Sequence, residues 1–103
     1  MKSTYERESI TLATVFRPVI STLAQLARHV RDGRSADQEL EELRFLLETL
    51  PLTTEQFSLA TNRLKNAHGY VKARENGAAR WELNALRQQL ANHLTAPEAM
   101  HPG

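Results

Sequence analysis

The chain has 103 residues, 41% of them hydrophobic and 24% charged, so it is long enough for one globular domain with a single core. It contains no cysteine, which excludes disulfide scaffolds, thiolate metal sites and cysteine nucleophiles and fits a reducing compartment. The net charge of +1 is too small for a typical nucleic-acid-binding protein, and it is uneven: residues 1–34, 35–56 and 57–94 carry +3, −5 and +4.

The first predicted helix runs from about Thr4 to Arg31. Its main apolar stripe has the 4-3-4-3-4 spacing of a packed helix and consists of Leu12, Phe16, Val19, Leu23, Leu26 and Val30. A second stripe beside it contains Ala13, Ile20, Ala24 and Ala27. Together they cover about half the helix circumference, which predicts packing against two neighbours. We therefore predict a homodimer that self-associates through Leu12, Phe16, Val19, Ile20, Leu23 and Leu26.

Pro18 lies on the opposite, Ser/Thr-rich face of this helix. Proline has no N–H to donate to the carbonyl four residues earlier in the helix, which predicts a kink or a break near Pro18. Asp32-Gly33 predicts the end of the helix.

Capping signals predict where the next two helices begin and end. Ser35 with Gln38 predicts the start of the second helix, whose buried face is formed by leucines and which ends at Pro51. Thr53 with Gln56 predicts the start of the third helix, flanked by the hydrophobic pair Leu52 and Phe57. The third helix is expected to reach about Glu75, where Asn76-Gly77 offers a left-handed stop.

The fourth helix is predicted from the apolar series Ala79, Leu83, Leu86, Leu90 and Leu94. Residues 1–94 are therefore expected to form a single helical domain, and residues 95–103 a disordered tail. Short connections favour antiparallel neighbours, so the predicted fold is an all-α, antiparallel bundle of four helical segments. The main alternative is an open arrangement of helices that closes only by dimerising. The N-terminus lacks the apolar core of a signal peptide and no apolar run approaches the roughly 18 residues of a membrane span, which predicts a cytoplasmic protein without membrane contact.

The patterns that carry catalytic chemistry are absent from the sequence. None of His29, His68 and His93 follows a glutamate by three residues, as the Glu-x-x-His pairs of a di-iron site require, and there is no His-Glu-x-x-His zinc motif and no glycine loop for a phosphate. The sequence therefore predicts no enzyme, no catalytic residue, no metal and no cofactor.

One segment, Ala67-His68-Gly69-Tyr70-Val71-Lys72 followed by Gly77-Ala78, resembles the phosphorelay histidine-phosphotransfer domains, which are four-helix bundles. The resemblance implies that His68 would accept a phosphoryl group. In that family the lysine follows the histidine by three residues and a glycine follows the lysine; here Lys72 follows by four, and the glycine is Gly69. On the helical wheel His68 falls on the apolar stripe, which favours a packed, hydrogen-bonded histidine instead.

A second alternative is a helical nucleic-acid-binding protein that uses the basic residues around the third helix, Arg63, Lys65, Lys72, Arg74 and Arg80. Groove-reading modules place such residues on one exposed face, whereas these are scattered around the wheel. The pattern favours basic side chains that oppose the acidic second helix.

Aromatic residues point to the function that we favour. Only six occur, and three of them, Phe45, Tyr70 and Trp81, lie off the apolar stripes, with Leu59 in line with Tyr70. Outward aromatic side chains are typical of protein–protein interfaces; the alternative is that a helix that touches two neighbours needs a wider apolar arc. The sequence thus predicts a small regulatory or adaptor protein that acts by stoichiometric binding, such as an anti-activator, an inhibitor of a regulator, or a chaperone or assembly subunit. The predicted partner-binding residues are Leu59, Tyr70, Trp81 and Phe45.

Overall fold

The computed structural model describes the backbone of residues 4–99 and the side chains of residues 13–94. The described residues form four helices and no strand: α1 (Thr4–Arg31), α2 (Asp37–Glu48), α3 (Thr54–Lys72) and α4 (Asn76–Ala99). The prediction of an all-α chain with four helical segments is confirmed.

The helices form a ring in which each packs on its neighbours in sequence and α4 closes onto α1. The pairs α1–α4 and α3–α4 make the most extensive contacts, whereas the short helix α2 packs less extensively on α3 and α1. At one point of the α1–α4 contact the rings of Phe16 and His93 stack, with centroids 4.9 Å apart. Burial at this contact lowers the pKa of His93.

The core is mainly aliphatic, as the low aromatic content requires. All four helices contribute to one cluster of buried apolar side chains. Its largest fully buried members are Phe16, Leu23, Leu26, Val30, Leu40, Leu43, Leu47, Leu83, Leu86 and Leu90.

The start of α3 is confirmed and the start of α2 is not as predicted. The Thr53 hydroxyl accepts a hydrogen bond from the backbone N–H of Gln56, whose side chain accepts one from the N–H of Thr53. The prediction that Ser35 caps α2 is wrong: the capping position is Ala36, which makes no side-chain cap hydrogen bond. Ala36 is fully buried in the core, which fixes the start of α2 one residue later.

The ends of α1 and α3 share one geometry. Gly33 follows α1 with a φ of 75°, and the backbone N–H of Arg34 bonds to the carbonyl of His29, as in a Schellman motif. After α3 the left-handed residue is Arg74, with a φ of 61°. The expectation that Asn76-Gly77 ends α3 is wrong, because α3 closes earlier through Arg74 and Asn76 is already the first residue of α4.

Replacing Arg74 by glycine should stabilise the fold by about 1 kcal/mol, because a side chain with a Cβ pays roughly that cost in the left-handed region and glycine does not. Chemical denaturation of the variant would measure the gain. The matched control is Gly33→Ala, which should lose a similar amount. A Cβ at Gly33 would meet no atom within 4 Å, so that loss comes from the backbone alone. A destabilised Arg74→Gly would instead show that the arginine side chain stabilises the turn.

The structure bears on two further predictions, the kink or break at Pro18 and the disordered C-terminal tail. α1 is a single helical element that runs through Pro18, so no break occurs there, while a kink stays a prediction. The hydroxyl of Thr22 donates to the carbonyl of Pro18 at 2.9 Å.

α4 continues to Ala99, five residues into the predicted 95–103 tail, and residues 100–103 lie outside the described residues. Within the described chain, none of the helices is both long enough and apolar enough to span a bilayer.

Candidate protein-binding surface

Trp81 is the largest exposed apolar side chain of the described residues. It lies on the outer side of α4 with 63% of its surface exposed. The next residue, Glu82, turns toward α3 and is buried, with 8% exposed. Adjacent positions on α4 thus place an aromatic ring in solvent and a carboxylate in the α3–α4 contact.

Arg63 of α3 contacts both of these side chains. Its Nη1 donates to Glu82 Oε1 at 3.2 Å, while Asn66 Nδ2 donates to Glu82 Oε2 at 3.3 Å. The guanidinium carbon of Arg63 lies 5.7 Å from the centroid of the Trp81 ring, within the range of a cation–π contact. The ion pair with the buried Glu82 carboxylate therefore anchors the guanidinium against which the exposed indole packs.

Leu59 extends this surface along α3. It precedes Arg63 by one helical turn and is 47% exposed, so it lies on the same side of the bundle. We call Leu59, Arg63 and Trp81 the Trp81 surface. It combines two apolar side chains with one anchored cation, a composition that is enriched in protein interfaces.

The two other predicted partner-binding residues lie elsewhere. Tyr70 is half-buried and packs against the core, so it adds little to the outer surface. Phe45 is 66% exposed, but it lies on α2, which is across the bundle from α4. The structure thus brings Leu59 and Trp81 to one side and leaves Phe45 on another, among the exposed residues Glu41, Glu42 and Glu48.

The residues predicted to mediate self-association lie mainly inside the monomer. Phe16, Val19, Leu23 and Leu26 are at most 3% exposed, because the other helices cover them. Ile20 is half-buried at the edge of the core. The side chain of Leu12 lies outside the described residues.

His68 is a hydrogen-bonded histidine at the α2–α3 contact, as the interpretation from the helical wheel favoured. Its Nε2 lies 3.1 Å from Asp37 Oδ1, in the first turn of α2. His29 of α1 lies similarly close to Glu39, with Nδ1 3.6 Å from Oε2. A carboxylate beside the ring of His68 would repel an incoming phosphoryl group, which disfavours phosphotransfer at this position.

The basic residues of the nucleic-acid alternative do not converge. Arg63 is paired with Glu82 beneath Trp81, Lys65 lines a groove between α2 and α3, and Arg80 lines a groove between α1 and α4. Arg63, Lys65 and Arg80 therefore face three different sides of the bundle.

A groove also lies between α2 and α3. It encloses about 490 Å³ over the apolar side chains Leu40, Phe57 and Leu64, and its rim carries charges of both signs. Among the side chains at positions 13–94, no three histidines, aspartates or glutamates come together as a metal site.

The helical pattern of the sequence does not reveal the contact of Arg63 with Glu82, although Glu82 directly precedes Leu83 at the edge of the apolar stripe of α4. A charged residue beside a core leucine is the feature of the sequence that could indicate a buried carboxylate.

Comparison with known proteins adds no relative: no family model, curated protein or solved structure matches this chain.

Proposed function

We propose that this chain is a non-enzymatic regulatory or adaptor protein that binds another protein through the Trp81 surface. The observation that carries the proposal is the 63% exposure of Trp81 over an anchored guanidinium. Covering the exposed part of a tryptophan by a partner is worth about 3 kcal/mol of apolar burial. In a chain with a single tryptophan, this is the strongest anchor for binding that the described surface offers.

An inhibitor or anti-activator that covers the interface of a regulator, or a chaperone or assembly subunit, would act in this stoichiometric way. A homodimer and a cytoplasmic location belong to the same proposal. Because Phe16, Val19, Leu23 and Leu26 are buried within the monomer, we expect a homodimer to form through exposed side chains such as Trp81 or Phe45.

Trp81→Ala tests this proposal. Because the side chain is mostly exposed, the substitution should change the free energy of unfolding by less than about 1 kcal/mol. It should weaken target capture or self-association by roughly 2 kcal/mol or more, about thirtyfold, as hot-spot tryptophans do. Thermal melts, light scattering and quantitative pull-downs from the native cell would measure these effects.

Two variants sharpen the comparison. Gln25→Ala changes an exposed residue of α1 and should leave both assembly and capture intact. Phe45→Ala reports whether the exposed aromatic on α2 contributes independently. A loss of about 3–5 kcal/mol of folding stability in Trp81→Ala would show that the indole serves the fold, and a stable variant with unchanged assembly and capture would show that the surface binds nothing.

A further inference from the structure

Four arginines line one groove on the side of the bundle formed by α1 and α4. Arg28 and Arg31 come from α1, and Arg80 and Arg87 come from α4. The groove has a volume of about 350 Å³, and its other lining residues are Ala24, Ala27 and Asn84. We call this groove, with its four arginines and these three other lining residues, the arginine groove.

The positive charge of this groove is hardly compensated within the chain. Arg31 lies 3.4 Å from its neighbour Asp32 in an exposed pair, and the ion pairs of the described residues include none for Arg28, Arg80 or Arg87. The exposed carboxylates of α2 lie across the bundle from α4. Like charges on facing helices repel one another, so a ligand of opposite charge would bind here favourably.

The spacing of the arginines suits a ligand with regularly placed carboxylates. Arg80 and Arg87 are seven residues apart on one flank of α4, about 10 Å along the helix axis. A partner helix with acidic residues seven apart repeats the same distance. The planar guanidinium also suits carboxylates, since it can donate two parallel hydrogen bonds to one group.

The remainder of the groove distinguishes a helix from a nucleic acid. Ala24 and Ala27 leave room for a third helix to approach closely. Along the same flanks the surface continues into the half-buried apolar side chains Ile20, Ala91 and Leu94. These would pack against the apolar face of an amphipathic helix, whereas a phosphate backbone gains nothing from them.

We propose that the arginine groove binds an acidic amphipathic helix of a partner protein. This inference rests on the proposed protein-binding function and gives the chemistry of the segment recognised. The groove is on the α1–α4 side and the Trp81 surface is on the α3–α4 side, so one partner can contact both across α4.

The test uses the full chain and a fluorescein-labelled helical peptide of about 21 residues, with glutamates seven apart on one face and leucines and alanines on the next. Fluorescence anisotropy should show saturable binding that weakens as salt rises. Arg80→Gln and Arg87→Gln should each weaken binding about threefold, and the double variant about tenfold. The same peptide with glutamines in place of glutamates should bind no better than the double variant binds the acidic peptide.

Control variants separate this inference from the proposed function. Arg44→Gln removes an exposed arginine from α2 and should bind the peptide as the unchanged chain does. Trp81→Ala should also retain peptide binding. Loss of binding in Trp81→Ala, with Arg80→Gln unaffected, would place the peptide on the Trp81 surface and overturn the groove while supporting the proposed function.

Two further outcomes would overturn the groove as a helix site. One is absence of saturable peptide binding at low salt. The other is that a duplex DNA of about 20 base pairs binds more tightly than the acidic peptide and that the arginine substitutions abolish this DNA binding. That result would identify the groove as a phosphate-binding site.

Discussion

Leu23→Asp should unfold the monomer itself, not merely separate two copies of the chain. Leu23 is fully buried in the core to which all four helices contribute. A carboxylate there has no partner and must lose its hydration or be protonated, at a cost of about 5 kcal/mol or more. That is comparable with the whole stability of a domain of this size. Circular dichroism should show loss of helix at every protein concentration across an approximately hundredfold range.

Ile20→Asp is the matched control on the same helix. Ile20 is only half-buried, so its carboxylate can remain hydrated and the fold should survive. If copies of the chain associate along this flank of α1, Ile20→Asp would abolish assembly and leave the helical signal intact. A Leu23→Asp variant that stays folded as a monomer would show that Leu23 acts at an interface between copies.

The helices were predictable because their signals are local. The apolar spacing of three and four residues predicted four helical segments, and the Thr53–Gln56 pair predicted the start of α3. The errors at Ser35 and Asn76 have tertiary or competing causes. Ala36 starts α2 because it is buried against other helices, and α3 ends early because Arg74 takes the left-handed position.

The candidate site was predictable in part for a related reason. The helical wheel shows which side chains lie off the apolar stripe, and Trp81, Leu59 and Phe45 are indeed exposed. It does not show what covers the edge of a stripe, so it predicts an outward Tyr70, whereas Tyr70 packs against the core. The register between helices is also absent from the wheel, which is why neither the Arg63–Glu82 pair nor the arginine groove was foreseen.

The Arg63–Glu82 pair provides the second large effect, because it joins α3 to α4 through a buried carboxylate. Arg63→Met should cost about 2–3 kcal/mol of folding stability, since it leaves Glu82 with Asn66 as its one remaining described partner. The estimate lies below that for a fully buried pair because 27% of the Arg63 side chain is exposed. Urea denaturation followed by circular dichroism would measure it.

Comparison of Arg63→Met with a double variant isolates the reason for this cost. Arg63→Met with Glu82→Met removes both charges and replaces them with apolar side chains, so the double variant should be more stable than Arg63→Met alone. The loss in Arg63→Met would then arise from the stranded carboxylate and not from lost packing. Equal destabilisation of the single and double variants would contradict that account. Because the same guanidinium packs against Trp81, the emission of the single tryptophan should also change in Arg63→Met, which links the buried pair to the geometry of the exposed surface.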